Sequence, residues 1–196
     1  MTRSTLVRSP VVLAMALFAA ACSSGGAAPA SAPVPAPSGE VPRQIGRFAL
    51  VQRSPLTAPG TGTIYRFRDS TAINLSAIVY DLTDEEVARN STASARVKAE
   101  GEKFLEILPI QVRRGVYDTY HVLLVRPDSV VIGRVTAPGV IATASVEQRG
   151  QTGYELQYLY LIDRTFVKIR ASVPASAWPR TDLDSFATEL VMALVR

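Results

Sequence analysis

The chain has few residues of the types that carry catalysis or metal binding most often. It contains one cysteine, Cys22, and one histidine, His121, among its 196 residues. Asp118 lies three residues before His121, a spacing that would let the carboxylate orient the imidazole on one helix face. No Gly-x-Ser-x-Gly sequence supplies a nucleophile for such a pair. We therefore interpret His121 as a surface histidine beside an acid, and the sequence predicts no catalytic residue.

Metal and phosphate sites find equally little support in the sequence. Four acidic residues lie close together, namely Asp81, Asp84, Glu85 and Glu86. They lack the alternating ligands and central glycine of a calcium loop. Together with Thr83, the last three match a helix capping box instead, where acidic side chains are favoured. Gly60-Thr61-Gly62 lacks the lysine of a phosphate loop. The sequence thus predicts no metal and no cofactor.

Four basic residues remain as candidates for a binding site: Arg66, Arg68, Lys168 and Arg170. Each pair alternates with apolar residues along a predicted strand, so both members of a pair point to the same face. If the two faces belong to one side of the sheet, the four side chains form a cationic patch. Such a patch would bind an acidic polymer, a lipid head group or a partner protein. Solvated strand faces also carry Lys and Arg for no reason beyond solubility and protection of sheet edges, and this alternative stays open.

The elements that would position these residues predict an α+β fold, an antiparallel sheet of about five to seven strands with two or three helices packed on it. The alternating segments lie at 46–52, 63–68, 72–80, 129–135, 140–149, 154–162 and 165–173. Short turns connect several of them, among them Ala137-Pro138-Gly139 and Asp163-Arg164. Helical spacing covers 91–108, where Pro109 is expected to end the helix, and 183–194.

The segment 112–125 fits two structures. Val116, Tyr120 and Leu123 form a helical face, whereas residues 120–125 equally form a buried strand. In the helical alternative the polar residues of the segment, including Asp118 and His121, gather on the opposite face. We therefore favour the helix.

The first 21 residues have the features of a secretory signal peptide. Arg3 and Arg8, with no acidic residue, precede an apolar run from Val11 to Ala20 that is too short to span a bilayer. Small residues then lead to the single cysteine, Cys22. The segment is therefore expected to direct export and to be cleaved off.

The run Phe18-Ala19-Ala20-Ala21-Cys22-Ser23-Ser24 resembles the lipobox of bacterial lipoproteins, except that Ala19 stands where that family usually has Leu. The resemblance implies cleavage before Cys22, a diacylglycerol on its thiol and an acyl chain such as palmitate on the new amino terminus. The protein would then be anchored to a membrane of the cell envelope. Ser23 and Ser24 lack the aspartate that retains such proteins at the inner membrane, which favours the outer membrane if the host has one.

Residues 22–42 are predicted to be a linker, because a stretch of Pro, Ala, Ser and Gly cannot bury enough apolar surface to fold. Residues 43–196 are predicted to form a single globular domain, long enough to bury a core. Removal of Arg3 and Arg8 leaves 19 Lys and Arg against 17 Asp and Glu. This balance gives no reason to expect binding to nucleic acid.

The order of strands and helices resembles the small PsbP/Mog1-like domains, some of which are tethered to membranes. Together with the predicted anchor, these observations favour a non-enzymatic binding or assembly module of the cell envelope. One alternative is an envelope enzyme of the hydrolase type, whose site is assembled from dispersed polar residues. Another is a structural spacer without a ligand.

Overall fold

The computed structural model describes residues 39–56, 61–71, 73–89, 92–178 and 180–195. Within these residues the strands are β1 (Gln44–Ile45), β2 (Phe48–Pro55), β3 (Gly62–Arg68), β4 (Asn74–Asp81), β5 (Thr119–Ile132), β6 (Val135–Gln148), β7 (Gln151–Ile162) and β8 (Thr165–Pro174). They form one antiparallel sheet in the order β1-β2-β3-β4-β8-β7-β6-β5. The helices are the short α1 (Asp84–Arg89), the long α2 (Ala93–Arg113) and α3 (Arg180–Leu194).

Helices cover the sheet on both faces. On one face, the Phe186 ring of α3 meets Phe48 and Phe67 edge-on, with ring centroids 5.3 and 4.9 Å away. On the other face, Phe104 and Leu108 of α2 pack against alanines of β6. Because side chains alternate along a strand, β6 and β7 present apolar residues to both helices and are buried on both sides.

Helix α2 covers only part of its face of the sheet. It packs mainly on β5, β6 and β7, and Gly101 lets it approach closely, since a Cβ there would lie 2.7 Å from Cγ1 of Val140. On β2 and β3, side chains of the same face are exposed, as Gln52 and Arg66 show. The uncovered half of this face forms the trough in which the candidate site lies.

The predicted number of about five to seven strands was wrong, since the described residues form eight. The additional strand is β1, which Gly46 turns back onto β2 in a left-handed conformation at φ 53°. A strand of two residues has no periodicity that the sequence could show. Its Ile45 is nevertheless buried in the core on the α3 side. The α+β character, one antiparallel sheet with helices packed on it, is as predicted.

The helix favoured for 112–125 was also wrong. Helix α2 continues through Pro109 to Arg113, Gly115 turns the chain at φ 68°, and β5 begins at Thr119. Pro109 removes one backbone hydrogen bond near the end of α2, where the loss is small beside the burial of neighbouring Leu108. Residues 120–125 pair with β6. Local spacing fits a helix here as well, but pairing with the neighbouring strand overrides that local preference.

The predicted turn Ala137-Pro138-Gly139 lies inside β6. Pairing of β6 with β7 begins only at Gly139, so Pro138 occupies a stretch that pairs with β5 alone. A proline is tolerated where no second neighbour requires its missing N–H. Gly139 leaves room for the ring of Tyr160, because a Cβ there would lie 2.5 Å from the ring's Cδ1. The connection from β5 to β6 is instead made at Gly133 and the following residue.

The capping box before α1 was predicted correctly. The Thr83 N–H donates to Oε2 of Glu86 at 3.0 Å, and the Glu86 N–H donates to Oγ1 of Thr83 at 3.3 Å. The turn at Asp163-Arg164 joins β7 to β8, as the sequence also predicted. Both features depend on residues that are close together in the chain.

Cys22, the signal peptide and most of the predicted linker lie outside the described residues. Gly39 and Val41 were assigned to the linker, yet they contact the domain. The Gly39 N–H donates to the carbonyl of Leu194 at 2.8 Å, and Val41 is buried in the core. Among the described helices, none combines the length and the apolar composition needed to cross a bilayer.

Candidate functional site

Strand register brings the four predicted basic residues to the same face of the sheet, the face that carries α2. Arg66 pairs with Ser76 of β4, and Ser76 pairs in turn with Arg170 of β8. Since neighbouring strands lie about 4.8 Å apart, the backbones of Arg66 and Arg170 are separated by roughly 10 Å. Arg68 follows two residues after Arg66 on the same face of β3, and Lys168 precedes Arg170 by two on β8.

A cavity of about 490 Å³ lies over these strands and is open to solvent. Arg66 and Arg68 form one side of it, and Arg170 forms the other. Its floor carries small polar side chains of the strands between and beside them, namely Asn74, Ser76 and Ser172. We call this cavity, with its three arginines and its polar floor, the arginine trough.

The charges of the arginine trough are not neutralised by ion pairs within the described part of the chain. Arg66 donates one hydrogen bond, to the neutral Oε1 of Gln52 at 3.3 Å. Neither Arg68 nor Arg170 forms a salt bridge with a described residue. Arg66 and Arg68 are exposed, and Arg170 is half-buried. Three guanidinium groups therefore face one polar concavity with hydrogen-bonding capacity to spare.

Lys168 lies on the predicted face, but its charge is already paired. Its ammonium donates to Oε1 of Glu100, a residue of α2, and the side chain is only 17% exposed. The hydroxyl of Tyr80 donates to the same oxygen at 2.7 Å, and the ammonium of Lys103 lies 2.5 Å from Oε2. Lys168 therefore fastens α2 to the sheet and does not line the arginine trough.

Opposing effects act on the pKa of Glu100. Burial would raise it, but hydrogen bonds from Lys103 and Lys168, the charge of Lys168 and the hydrogen bond from Tyr80 lower it. The net result is a pKa below the ordinary value, so Glu100 is ionised and holds its partners at neutral pH.

One wall of the arginine trough contains an acid that the sequence did not single out, Glu155 of β7. Burial raises its pKa, while hydrogen bonds with Ser172 and Tyr117 and the charge of Arg170 lower it less strongly, so the net shift is upward. The Tyr117 hydroxyl donates to Oε1 of Glu155 at 2.9 Å. Burial and the nearby carboxylate also raise the pKa of Tyr117.

A signal for Glu155 was present in the sequence. It interrupts the most apolar predicted strand, at a position where a strand covered on both faces would be expected to carry an apolar residue. The environment of Glu155 is set by Tyr117 and Ser172, which come close to it only through tertiary packing. The sequence therefore marked the position without indicating its partners.

The remaining candidates do not come together. His121 is exposed on β5 rather than on a helix, so the helical spacing that would place Asp118 beside it is absent. Asp84 instead pairs with Arg164, and Glu85 with Arg89 at 2.6 Å. No group of three or more His, Cys, Asp or Glu side chains in the described ranges is arranged to hold a metal ion.

A second concavity, of about 500 Å³, lies between α2 and the edge strand β5. Its lining is mainly apolar and includes Val97, Leu105, Val125, Pro127 and Val140. Exposed apolar side chains occur along the same edge strand, namely Val122, Leu123, Val125 and Val131. The groove offers mainly apolar contact surface.

No protein-family model matches the chain, and no curated protein matches its sequence. Among solved structures, the chain is similar to the cyanobacterial PsbP protein (CyanoP) from Synechocystis sp. PCC 6803, whose structure was determined in solution. The two sequences are 13% identical, the match covers 72% of this chain and 79% of the other, and the TM-score is 0.45. The similarity concerns the course of the chain and carries no argument about function.

Proposed function

We propose that this protein is a lipid-anchored binding module of the cell envelope, and that the arginine trough is its binding site for an anionic ligand. The observation that carries the proposal is the convergence of Arg66, Arg68 and Arg170 on one open polar cavity without an ion pair to a described residue. Guanidinium groups with unused donors bind carboxylate and phosphate groups strongly and with defined geometry.

The construction of the arginine trough favours binding over a structural role. The three arginines of the trough lie on the face of the sheet opposite α3. Their neighbours along the strands, such as Tyr65 and Phe67, point to the α3 face and are buried in the core there. Arg66 and Arg68, which are exposed, therefore contribute little to packing. Concentrating three like charges in one concavity brings mutual repulsion, which a bound anion relieves.

The anchoring part of the proposal rests on the lipobox resemblance at Cys22. Two or more acyl chains together hold a protein firmly on a membrane, whereas a single chain binds only marginally. Replacement of Cys22 by Ser should abolish incorporation of labelled fatty acid into the protein expressed in a bacterial host. Equal labelling of the variant would contradict the anchor and leave the proposal for the arginine trough untouched.

One observation favours an enzyme as a second candidate. Glu155 lines the arginine trough beside Arg170 and has a raised pKa, as a general acid often has. It is, however, only 6% exposed and already accepts a hydrogen bond from Tyr117. An enzyme would lose turnover of a hydrolysable phosphate or carboxylate ester in Glu155→Gln, while a binding module would show no turnover in either form.

The test of anion binding compares two triple variants with the same change in charge. In the first, Arg66, Arg68 and Arg170 are replaced by Gln. In the control, Gln replaces three exposed arginines that do not line the cavity, namely Arg113, Arg134 and Arg149. Titration with inorganic phosphate, sulfate and malonate is followed by NMR, and salt dependence is measured because screening weakens exposed contacts. The first variant should lose binding and the control should retain it. Equal binding by both would refute the proposal.

A further inference from the structure

The arginine trough has a shape and donor arrangement that suit one class of anion better than others. Its three cationic side chains do not form a flat row. Arg66 and Arg68 rise from β3, Arg170 rises from β8, and β4 runs between them with Ser76 on its surface. Donors therefore approach a ligand above β4 from both flanks and from below.

This arrangement discriminates by the number and direction of acceptor oxygens. A carboxylate has two oxygens in one plane and carries one charge, so it satisfies one guanidinium fork well. A phosphate ester directs oxygens toward both flanks and the floor at once, and a terminal phosphate group carries about −1.5 to −2 charge at neutral pH. Three guanidinium groups and a hydroxyl floor match the second set of acceptors.

The wall beyond Arg170 differs from the two flanks because it carries no cationic side chain among the described residues. Tyr117, Ser172 and Glu155 line it. The Tyr117 hydroxyl donates to Oε1 of Glu155 at 2.9 Å, and burial raises the pKa of this carboxyl group. The hydroxyl and carboxyl groups of this wall are hydrogen-bonding partners that suit the hydroxyl groups of a polyol or sugar next to the phosphate.

We propose that the arginine trough binds a phosphate ester on a small hydroxylated scaffold, with Arg66 and Arg170 gripping the phosphate from opposite sides of β4 and the Tyr117–Glu155 wall contacting the scaffold. This inference rests on the proposed function, since it names the chemical class of the anion. A phosphate ester of a polyol occurs in soluble polyol phosphates as a terminal group and in the head group of phosphatidylglycerol as a singly charged diester, and the experiment separates these sources.

The first arm measures binding of glycerol 3-phosphate and of malonate, two dianions, to the full-length protein and to its Arg66→Lys/Arg170→Lys variant. Lysine keeps the charge and loses the planar fork. Arg66 is exposed, Arg170 is half-buried, and both substitutions keep the charge, so melting temperatures should agree and show that the variant is folded. Wild type should bind glycerol 3-phosphate about tenfold or more tightly than malonate, and the lysine variant should lose most of that preference.

The second arm uses vesicles of phosphatidylcholine containing either phosphatidylglycerol or the same molar charge of oleate. Preference for phosphatidylglycerol over oleate identifies a lipid head group as a source, while binding of glycerol 3-phosphate without vesicle binding identifies a soluble one. Equal affinity for both dianions, unchanged in the lysine variant, would overturn the phosphate assignment and leave anion binding intact. Absence of binding to any anion would overturn the proposed function itself.

Discussion

Lys168→Gln should destabilise the protein far more than the loss of any arginine of the trough. Lys168 and Glu100 form a pair with little exposure, and removing one member of a fully buried pair costs about 3–5 kcal/mol. Glu100 would keep the ammonium of Lys103 and the hydroxyl of Tyr80, so the free energy of unfolding should fall by about 1–3 kcal/mol. For a domain of this size that lowers the melting temperature by about 3–10 °C.

The matched control is Lys98→Gln on the same helix. Lys98 is 79% exposed and lies 3.9 Å from Glu102, a surface pair whose loss should cost well under 1 kcal/mol. Thermal unfolding followed by circular dichroism at pH 7 compares the two variants and the wild type. Equal melting temperatures for Lys168→Gln and Lys98→Gln would refute the reasoning that the Lys168–Glu100 pair fastens α2 to the sheet.

The dependence on pH separates the charge of Lys168 from the packing of its stem. The pKa of Glu100 is lowered in the folded protein, so its ionisation contributes stability above the unfolded pKa of about 4.3 and loses it as pH falls through the folded pKa. The deficit of Lys168→Gln should therefore shrink in that acidic window, where Glu100 becomes neutral and needs no cation. A deficit that stays constant with pH would assign the effect to lost packing of the lysine stem.

Three further predictions concern stability. Glu155→Gln should raise the melting temperature more at pH 8 than at pH 4. Burial raises the pKa of Glu155 in the folded protein, so ionisation of Glu155 lowers the stability of the wild type as pH rises. A larger gain at pH 4 would contradict this reasoning. Gly139→Ala should lower the free energy of unfolding, measured by chemical denaturation, by about 1–3 kcal/mol, since the new Cβ displaces the ring of Tyr160 from above the strand. An unchanged denaturation midpoint would show that the ring has another position open to it. A chain beginning at Arg43 should be less stable than one beginning at Gly39 by about 2–3 kcal/mol, because it lacks buried Val41 and the hydrogen bond to Leu194, and equal melting temperatures would show that this segment adds nothing.

Local features of the chain could be predicted from the sequence because they depend on residues close together in the chain. The capping box at Thr83 and Glu86 needs only residues within one helical turn. The alternation at 165–173 separated buried Ile169 from Arg170 on the opposite face, since a strand changes face at every residue. The same reasoning identified Arg66 and Arg68 as outward-facing members of their strand.

The sequence failed where a residue's role depends on a distant partner. Residues 120–125 form a strand because β6 lies beside them, and Gly139 serves to accommodate the ring of Tyr160 rather than to make a turn. In both cases the local pattern is compatible with two structures. Contact with the neighbouring strand of the sheet then decides between them, because the energy of that contact exceeds the difference in local preference.

The sequence by itself determined the types of the candidate residues and the strand face on which each lies. Only the tertiary structure decided which of them share a site. Strand order places β4 and β8 side by side although about 80 residues separate them, and this brings Arg66, Arg68 and Arg170 around one cavity. The same packing places Glu100 of α2 beside Lys168, so the fourth cation is paired and does not line the arginine trough. Charge pairing across elements depends on distances of a few ångströms between residues remote in sequence, and no local pattern encodes such distances.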